Sequence, residues 1–434
     1  MTKYLNNFVN DVFHVQLSPY FYIISLLFVL LPITLVTGPF LPDAFLTLIG
    51  LYFLVVSLQK KLFSYYKNIF IYFFVSFYLL ILISGLLSED IYSSLIDFNG
   101  PIFYFRYLFF ILGVKYLLDI NPKLISYFTI ILFLTILTAI IDGMIQWQTG
   151  YNILGFPYDP NHGQRITGLF RDEQILGHFL AYVVPLCFGL LLFLLRNSYS
   201  KNLLILGLFI FLILSEVFIF ITNDRSAFLR IVQFTLLLIF LSNHYKFFRL
   251  ISFLISLIFI TLLLNFSSHS SYRYIENTIK DVSSTKIPYM PWTPGHEAHF
   301  KITLDFFTEK PLIGNGPQYF RYKCDEIKIE GCTSHPHNYY FQTLAELGIL
   351  GLSFLFFGFL YLTYILFRQF LNVWFLKNSK YYIPDYLISF YSLAFLFIWP
   401  LIPNGSFYNN WLNVMIFLPI PFILYFQNKW NNRK

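Results

Sequence analysis

"LISFLISLIFITLLLNF" (residues 250–266) decides the fold. The run carries no charge and approaches the roughly 20 apolar residues that take a helix across a bilayer. "FYIISLLFVLLPITLV" (21–36) reads the same way, and similar runs recur along the 434 residues. The chain is 57% hydrophobic and only 12% charged, about half the charge of a typical soluble domain, which carries roughly 25%. These features predict an all-α polytopic membrane protein forming a single integral membrane domain over 1–434. The first long apolar run starts late and no small-residue cleavage site follows it, so no cleavable signal peptide is expected.

About twelve spans are expected from the apolar periodicity, near 20–37, 42–58, 68–87, 101–118, 124–147, 175–195, 203–222, 226–242, 250–266, 342–367, 384–402 and 411–427. With both termini placed inside, the inside segments hold most of the Lys and Arg, including Lys60, Lys61, Lys67, Lys115, Lys123, Arg196, Lys246, Arg368 and Lys377. Lys3, Lys380, Arg433 and Lys434 fall on the same side, whereas the short outside loops hold Arg165, Arg171 and Arg225. This asymmetry is the topology rule of membrane proteins. It accounts for most of the net charge of +7, so no nucleic-acid partner is called for; the surrounding lipid is the expected partner.

Two outside segments exceed plain connectors: a first loop over 148–174 and a large loop over 267–341, between the ninth and tenth spans. Long loops in compact proteins usually carry function. In the large loop, "KPLIGNGPQYF" (310–320) reads as a tight turn. Phe300, Leu304 and Phe307 recur at helical spacing, as in an amphipathic helix lying on the outer leaflet. "IPYMPWTPGH" (287–296) is stiff and aromatic, and together these pieces are expected to form a lid over a membrane-surface cavity. Cys324 and Cys332, with seven residues between them, can form a disulfide in an oxidising compartment, while Cys187 reads as a small core residue.

The large loop ends in "SHPHNYYFQTLAELGILG" (334–351). Pro336 fits a first helical turn, so His335 and His337 are expected at the N-terminus of the tenth span. The field there disfavours imidazolium, which leaves a neutral ring able to accept a proton. Capping histidines facing water are the plainer reading. A metal reading competes through "GHEAH" (295–299), but His-Glu-x-His is one residue short of the spacing that sets zinc ligands on one helix face. No metal and no cofactor are therefore expected.

Arg165, Arg171 and Arg225 stand on the side that topology keeps poor in positive charge, which suits an anionic phosphate or diphosphate ligand held by bidentate guanidinium forks. Interfacial anchoring is the alternative for Arg225. Arg106, Asp142, Glu216 and Arg230 lie inside predicted spans, where charges are paired or functional.

Together these elements resemble the O-antigen ligase and polymerase superfamily of bacterial envelope glycosyltransferases. His337-Asn338, nine residues, Gly348, two residues and Gly351 match the ligase pattern. "EKPLIGNGPQYF" is similar to the family's Pro-Leu-(Ile/Thr)-Gly-x-Gly-Pro turn, "NDRSAFL" to its Arg-Ser stretch, and "RITGLF" to its Arg-x-Thr-Gly-x-Phe segment. The resemblance implies transfer of a glycan from an undecaprenyl diphosphate carrier to an acceptor sugar hydroxyl, of lipid A core or another glycan. The reaction would take place at the periplasmic face of the bacterial inner membrane, without metal or nucleotide. His337 takes the base role by position, with Arg225 on the diphosphate. Arg165, Arg171, His335, Asn338, His296 and Lys301 are the expected substrate contacts. Many relatives carry arginine near the position of His296, so either Lys301 compensates or the first loop and Arg225 hold the diphosphate. A polymerase would use the same donor. A lipid-linked sugar transporter would need no base and would tend to show repeated, broken spans.

Overall fold

The protein is described from a computed structural model over residues 18–97, 100–158, 165–196, 201–266, 272–284, 293–329, 331–378 and 381–431. Lys3, Lys380, Arg433 and Lys434, with 159–164 of the first loop and 287–292 of the aromatic stretch, lie outside these residues. Helices α1 (Pro19–Thr34), α2 (Phe40–Gln59), α3 (Ile69–Leu86), α4 (Phe105–Ile120) and α5 (Leu124–Thr149) lead to the first loop. After it come α6 (Leu176–Leu195), α7 (Lys201–Ile221), α8 (Arg225–Leu241) and α9 (Lys246–Phe266). The large loop contributes α10 (Asn277–Ser284), α11 (Pro294–Glu309) and α12 (Tyr319–Ile327). Then α13 (Tyr339–Leu371), α14 (Asp385–Phe397), α15 (Asn410–Phe417) and α16 (Pro419–Asn431) complete the chain.

The chain is an all-α multi-pass membrane protein, with no strand among the described residues. Nine helical stretches there are long and apolar enough to cross a membrane. Three of the twelve expected segments form shorter helices: α1 with 16 residues, α8 with 17 and α14 with 13. Helix starts follow their capping chemistry. Ser18, Asn68, Asp224, Thr293, Asn338 and Asn409 each accept a backbone N–H of the helix that follows. Helix α6 is apolar on every face and correspondingly central, packing against α5, α7, α8 and α14.

Two of the arginines inside spans are ion-paired. Arg106 meets Asp43 at 2.9 Å, and Arg249 meets Glu216 in a buried network with Thr235 and Ser256. Asp142 accepts the Ile153 N–H at 2.9 Å. Gln146 Oε1, one turn along α5, accepts the N–H groups of Thr167 and Gly168 at 3.0 and 2.8 Å. These two α5 side chains tie the first loop down and so fix where Arg165 emerges.

Helix α13 is broken at Gly348, whose φ of 64° and ψ of −162° lie in a region only glycine occupies. The 310–316 turn fills the break. Ile349 N–H donates to Pro311 O at 2.9 Å, while Asn315 and Gly316 N–H donate to Ala345 O and Glu346 O at 3.2 and 2.9 Å. A Cβ at Gly348 would sit 2.5 Å from the Leu312 carbonyl, and one at Gly314 would sit 2.3 Å from the Glu346 carbonyl carbon. The nine-residue spacing between Asn338 and Gly348 is thus the length of helix between its cap and this docking point.

Candidate active site

A cavity of about 1470 Å³ opens among α6, α8, α10, α11 and the segments before α13 and α15. Arg165, Arg171, His178, Arg225 and Ser226 line it, as do His296, His335, His337 and Asn404. Apolar side chains of α8, Phe228, Leu229 and Val232, extend the lining.

The histidines form one cluster. The ring of His337 lies 4.1 Å from that of His335, 5.4 Å from His299 and 5.9 Å from His296. Burial pushes His337 down from the usual imidazole range to about 4, and the neighbouring His299 adds to this. Burial and the other rings likewise push His296 to about 4 and His335 to about 3. His296, His335 and His337 are therefore neutral at neutral pH. Among the described residues no hydrogen bond engages the ring nitrogens of His337, which leaves one free to accept a proton. Its backbone is held instead: His337 has φ 55°, a left-handed conformation that costs about 1–2 kcal/mol in a non-glycine residue. No group of three or more His, Cys, Asp or Glu among the described residues is arranged to hold a metal.

Sequence reasoning set Pro336 in the first helical turn, with His335 and His337 at the start of the helix, and the structure corrects this. The helix starts at Tyr339, Asn338 is its cap, and His335 and His337 precede it with their rings in one cluster. Asn338 is not a cavity residue. Its Oδ1 caps α13 and its Nδ2 donates to Pro400 O at 2.7 Å, so its place in the motif is structural. Lys301 is exposed and does not line the cavity, so it does not stand in for a missing arginine there. His296 closes a capping box: its Nδ1 accepts the Thr293 N–H at 3.2 Å. It can offer a hydrogen bond from Nε2 but brings no charge. Of the expected apolar stripe on α11, Phe300 is buried and stacks on Phe341 at 3.9 Å, Phe307 is half-buried and Leu304 is exposed.

Arg225 is engaged as well as cavity-lining. Its Nη2 meets Asp281 Oδ2 at 2.9 Å and its Nη1 donates to Thr278 Oγ1 at 3.1 Å, which uses two of five N–H donors. Arg165 Nη1 lies 3.3 Å from Asp224 Oδ2. Arg273, which sequence reasoning missed, donates to Asn223 O at 2.6 Å, close enough that Arg165 and Arg225, after its own burial, lower its basicity. Its only sequence signal was a cation in the large loop. His178, also missed, could have been flagged as a histidine at the mouth of an apolar span. Cys324 and Cys332 are joined, Cα atoms 5.1 Å apart, and Cys187 is buried and free. The bridge flanks Gly331, whose carbonyl accepts from His299 Nδ1 at 2.6 Å, so it braces the histidine cluster.

No curated protein matches the chain. The family model described as O-antigen ligase matches residues 208–356, from within α7 through the break in α13, and so takes in Arg225, His296, His337 and Gly348. Over that stretch, about a third of the chain, which holds much of the cavity wall, the protein is similar to the O-antigen ligase family.

Proposed function

We propose that the protein is a metal-independent, O-antigen ligase-type glycosyltransferase of the bacterial inner membrane, with both termini cytoplasmic and the cavity at the periplasmic face. It moves a glycan from an undecaprenyl diphosphate carrier to a sugar hydroxyl of lipid A core or a related acceptor. The observation that carries this reading is one cavity holding a cluster of neutral histidines together with Arg165 and Arg225. Neutral His337 takes the proton of the acceptor hydroxyl, whose oxygen attacks the anomeric carbon of the glycan. The bond to the diphosphate breaks with its electron pair on the leaving oxygen, and Arg225 and Arg165 offset the charge that develops there. The Phe228, Leu229 and Val232 side of the cavity suits the prenyl chain.

The test is direct. Purified protein is given a lipid-linked glycan and, separately, lipid A core, a free glycan chain and a second carrier-linked glycan, with and without chelator. Glycosylated lipid A core, unaffected by chelator, is the expected product. Exclusive elongation of the carrier-linked glycan would make the protein a polymerase, and absence of any transfer would sink the reading.

A further inference from the structure

Gly177 lets the start of α6 lie directly against the turn that opens α8. A Cβ there would come within 2.7 Å of Thr222 Oγ1 and 2.8 Å of Asp224 Cβ. That approach brings the next residue, His178, onto Asp224. Its Nδ1 stands 2.5 Å from Asp224 Oδ2 and its Nε2 stands 3.3 Å from Ser226 Oγ. Ser226 donates its single proton to Asp224 Oδ1 at 2.8 Å, so it shows only lone pairs to the imidazole. Both ring nitrogens thus face acceptors, an arrangement that suits a ring protonated on both. The bond to Asp224 is short, whereas the Nε2 contact is long and easily exchanged for a better acceptor.

Asp224 is buried, with its side chain 1% exposed, and it also takes Arg165 Nη1 and the Ala227 N–H. Burial alone pushes its carboxyl up, but His178, Arg165 and Ser226 outweigh that and hold it well below the usual carboxylate range. The carboxylate is thus a fixed anion behind the ring. The other charged or titratable groups around His178 are Arg165 of the first loop, Arg225 of α8, Arg273 and Tyr274 before α10, and Tyr182 one turn along α6. His178 and Ser226 line the same cavity as His337.

We propose that His178, backed by Asp224, is a second proton-handling residue of the cavity, giving its Nε2 proton to a phosphate oxygen of the bound lipid diphosphate. This rests on the transfer reaction proposed above. When the anomeric carbon–oxygen bond breaks, the electron pair stays on the diphosphate oxygen, which takes the proton from His178. His337 meanwhile holds the proton removed from the acceptor, then releases it to water, and His178 regains one from water. One proton leaves the acceptor and one ends on the lipid diphosphate, with no further reactant.

Two measurements test this on the full-length protein in detergent. In the first, inorganic diphosphate is titrated into wild type, His178→Gln and Asp224→Asn across neutral to alkaline pH. Wild-type affinity is expected to fall with rising pH about tenfold more than that of His178→Gln, because glutamine keeps a donor but loses the charge-assisted bond. Parallel slopes for wild type and His178→Gln overturn the proposal, since a merely structural histidine would lower folded yield and leave the slope alone. In the second, His178→Gln is expected to lower kcat about 10²-fold with little change in KM and to lose the alkaline limb of the rate profile. A wild-type enzyme that binds diphosphate with the His178-dependent slope yet transfers no glycan sinks the transferase reading while supporting the phosphate contact. A transferring enzyme whose His178→Gln variant keeps the wild-type profile in both measurements overturns the His178 assignment alone.

Discussion

The backbone N–H of Asn404 donates to the carbonyl of His337 at 2.8 Å. Asn404 is itself held through its side chain, whose Oδ1 accepts from Arg230 Nη2 at 2.8 Å. Arg230 is fully buried in α8 and lies over the Tyr182 ring at 4.6 Å, and among the described residues its Nε and Nη1 have no hydrogen-bond partner. The charge inside α8 thus acts on the proposed base from behind, through the segment between α14 and α15.

That chain of contacts orders three variants. Asn404→Ala leaves a buried cation without its acceptor and is expected to destabilise the fold by about 2–3 kcal/mol, seen as a lowered Tm in detergent. Arg230→Met removes cation and need together, so its Tm should fall less while transfer slows, because Asn404 no longer anchors the His337 carbonyl. Asn404→Asp keeps an acceptor for Arg230 and should stay close to wild type in stability. If the alanine variant were the most stable of the three, Arg230 would not depend on Asn404.

His337→Ala is expected to abolish detectable transfer, since a general base supplies about 10²–10⁴-fold, while expression and insertion stay normal. His335→Ala should slow transfer more modestly, because its ring sits 4.1 Å from that of His337 in the same cluster. The pH dependence follows from the direction of the shifts. His337 is pushed down to about 4, so its proton-accepting form persists well below the ordinary imidazole range and the acid limb of kcat should fall below pH 6. Stability responds to the same shifts, and at a higher pH. The unfolded chain takes up protons on His296, His335 and His337 near pH 6.5 that the folded chain refuses, so Tm should drop as pH falls below that value. A kcat limb near pH 6.5 would mean the base is not this buried ring.

Arg225→Ala should weaken donor use by about 1.5–3 kcal/mol, the worth of a charge-assisted contact, and Arg225→Lys should recover only part of it. The signature is a raised KM for the lipid-linked donor with the acceptor KM little changed. Wild-type kinetics at subsaturating donor in the alanine variant would reduce Arg225 to a partner of Asp281.

Gly348→Ala forces a side chain into a conformation reserved for glycine and into the Leu312 carbonyl. The strain alone amounts to about 1–3 kcal/mol, and undocking the 310–316 turn adds to it. Reduced folded yield and faster proteolysis of the large loop are the expected readouts, with Gly358→Ala, where a Cβ meets only Ile398 Cδ1 at 3.8 Å, as the tolerated control.

The Cys324–Cys332 bridge closes a short loop and should contribute about 2–3 kcal/mol locally. Non-reducing peptide mapping should find the two joined and Cys187 unmodified until the protein is unfolded. Reduction should speed hydrogen exchange through the residues that lead to His335, and an unchanged exchange pattern would separate the bridge from the histidine cluster.

Sequence alone determined the membrane architecture, because the length and apolarity a bilayer demands are local properties of each run. It also determined the motif positions of Arg225, His337 and Gly348, since spacing along a chain is independent of folding. Tertiary structure decided what those residues touch. The motif asparagine Asn338 is a helix cap, Gly348 is the docking point of a turn over thirty residues upstream, and His296 is spent on a capping box, none of which follows from residue type. Lys301 and Arg273 looked alike as cations of one loop, and only packing put Arg273 beside Arg165 and Arg225 and left Lys301 exposed. The pairs His178–Asp224 and His337–Asn404 join residues 46 and 67 positions apart. Such hydrogen bonds depend on distances of a few tenths of an ångström between helices, set by the close approach that Gly177 allows and the buried charge of Arg230, and no periodicity in the sequence encodes them.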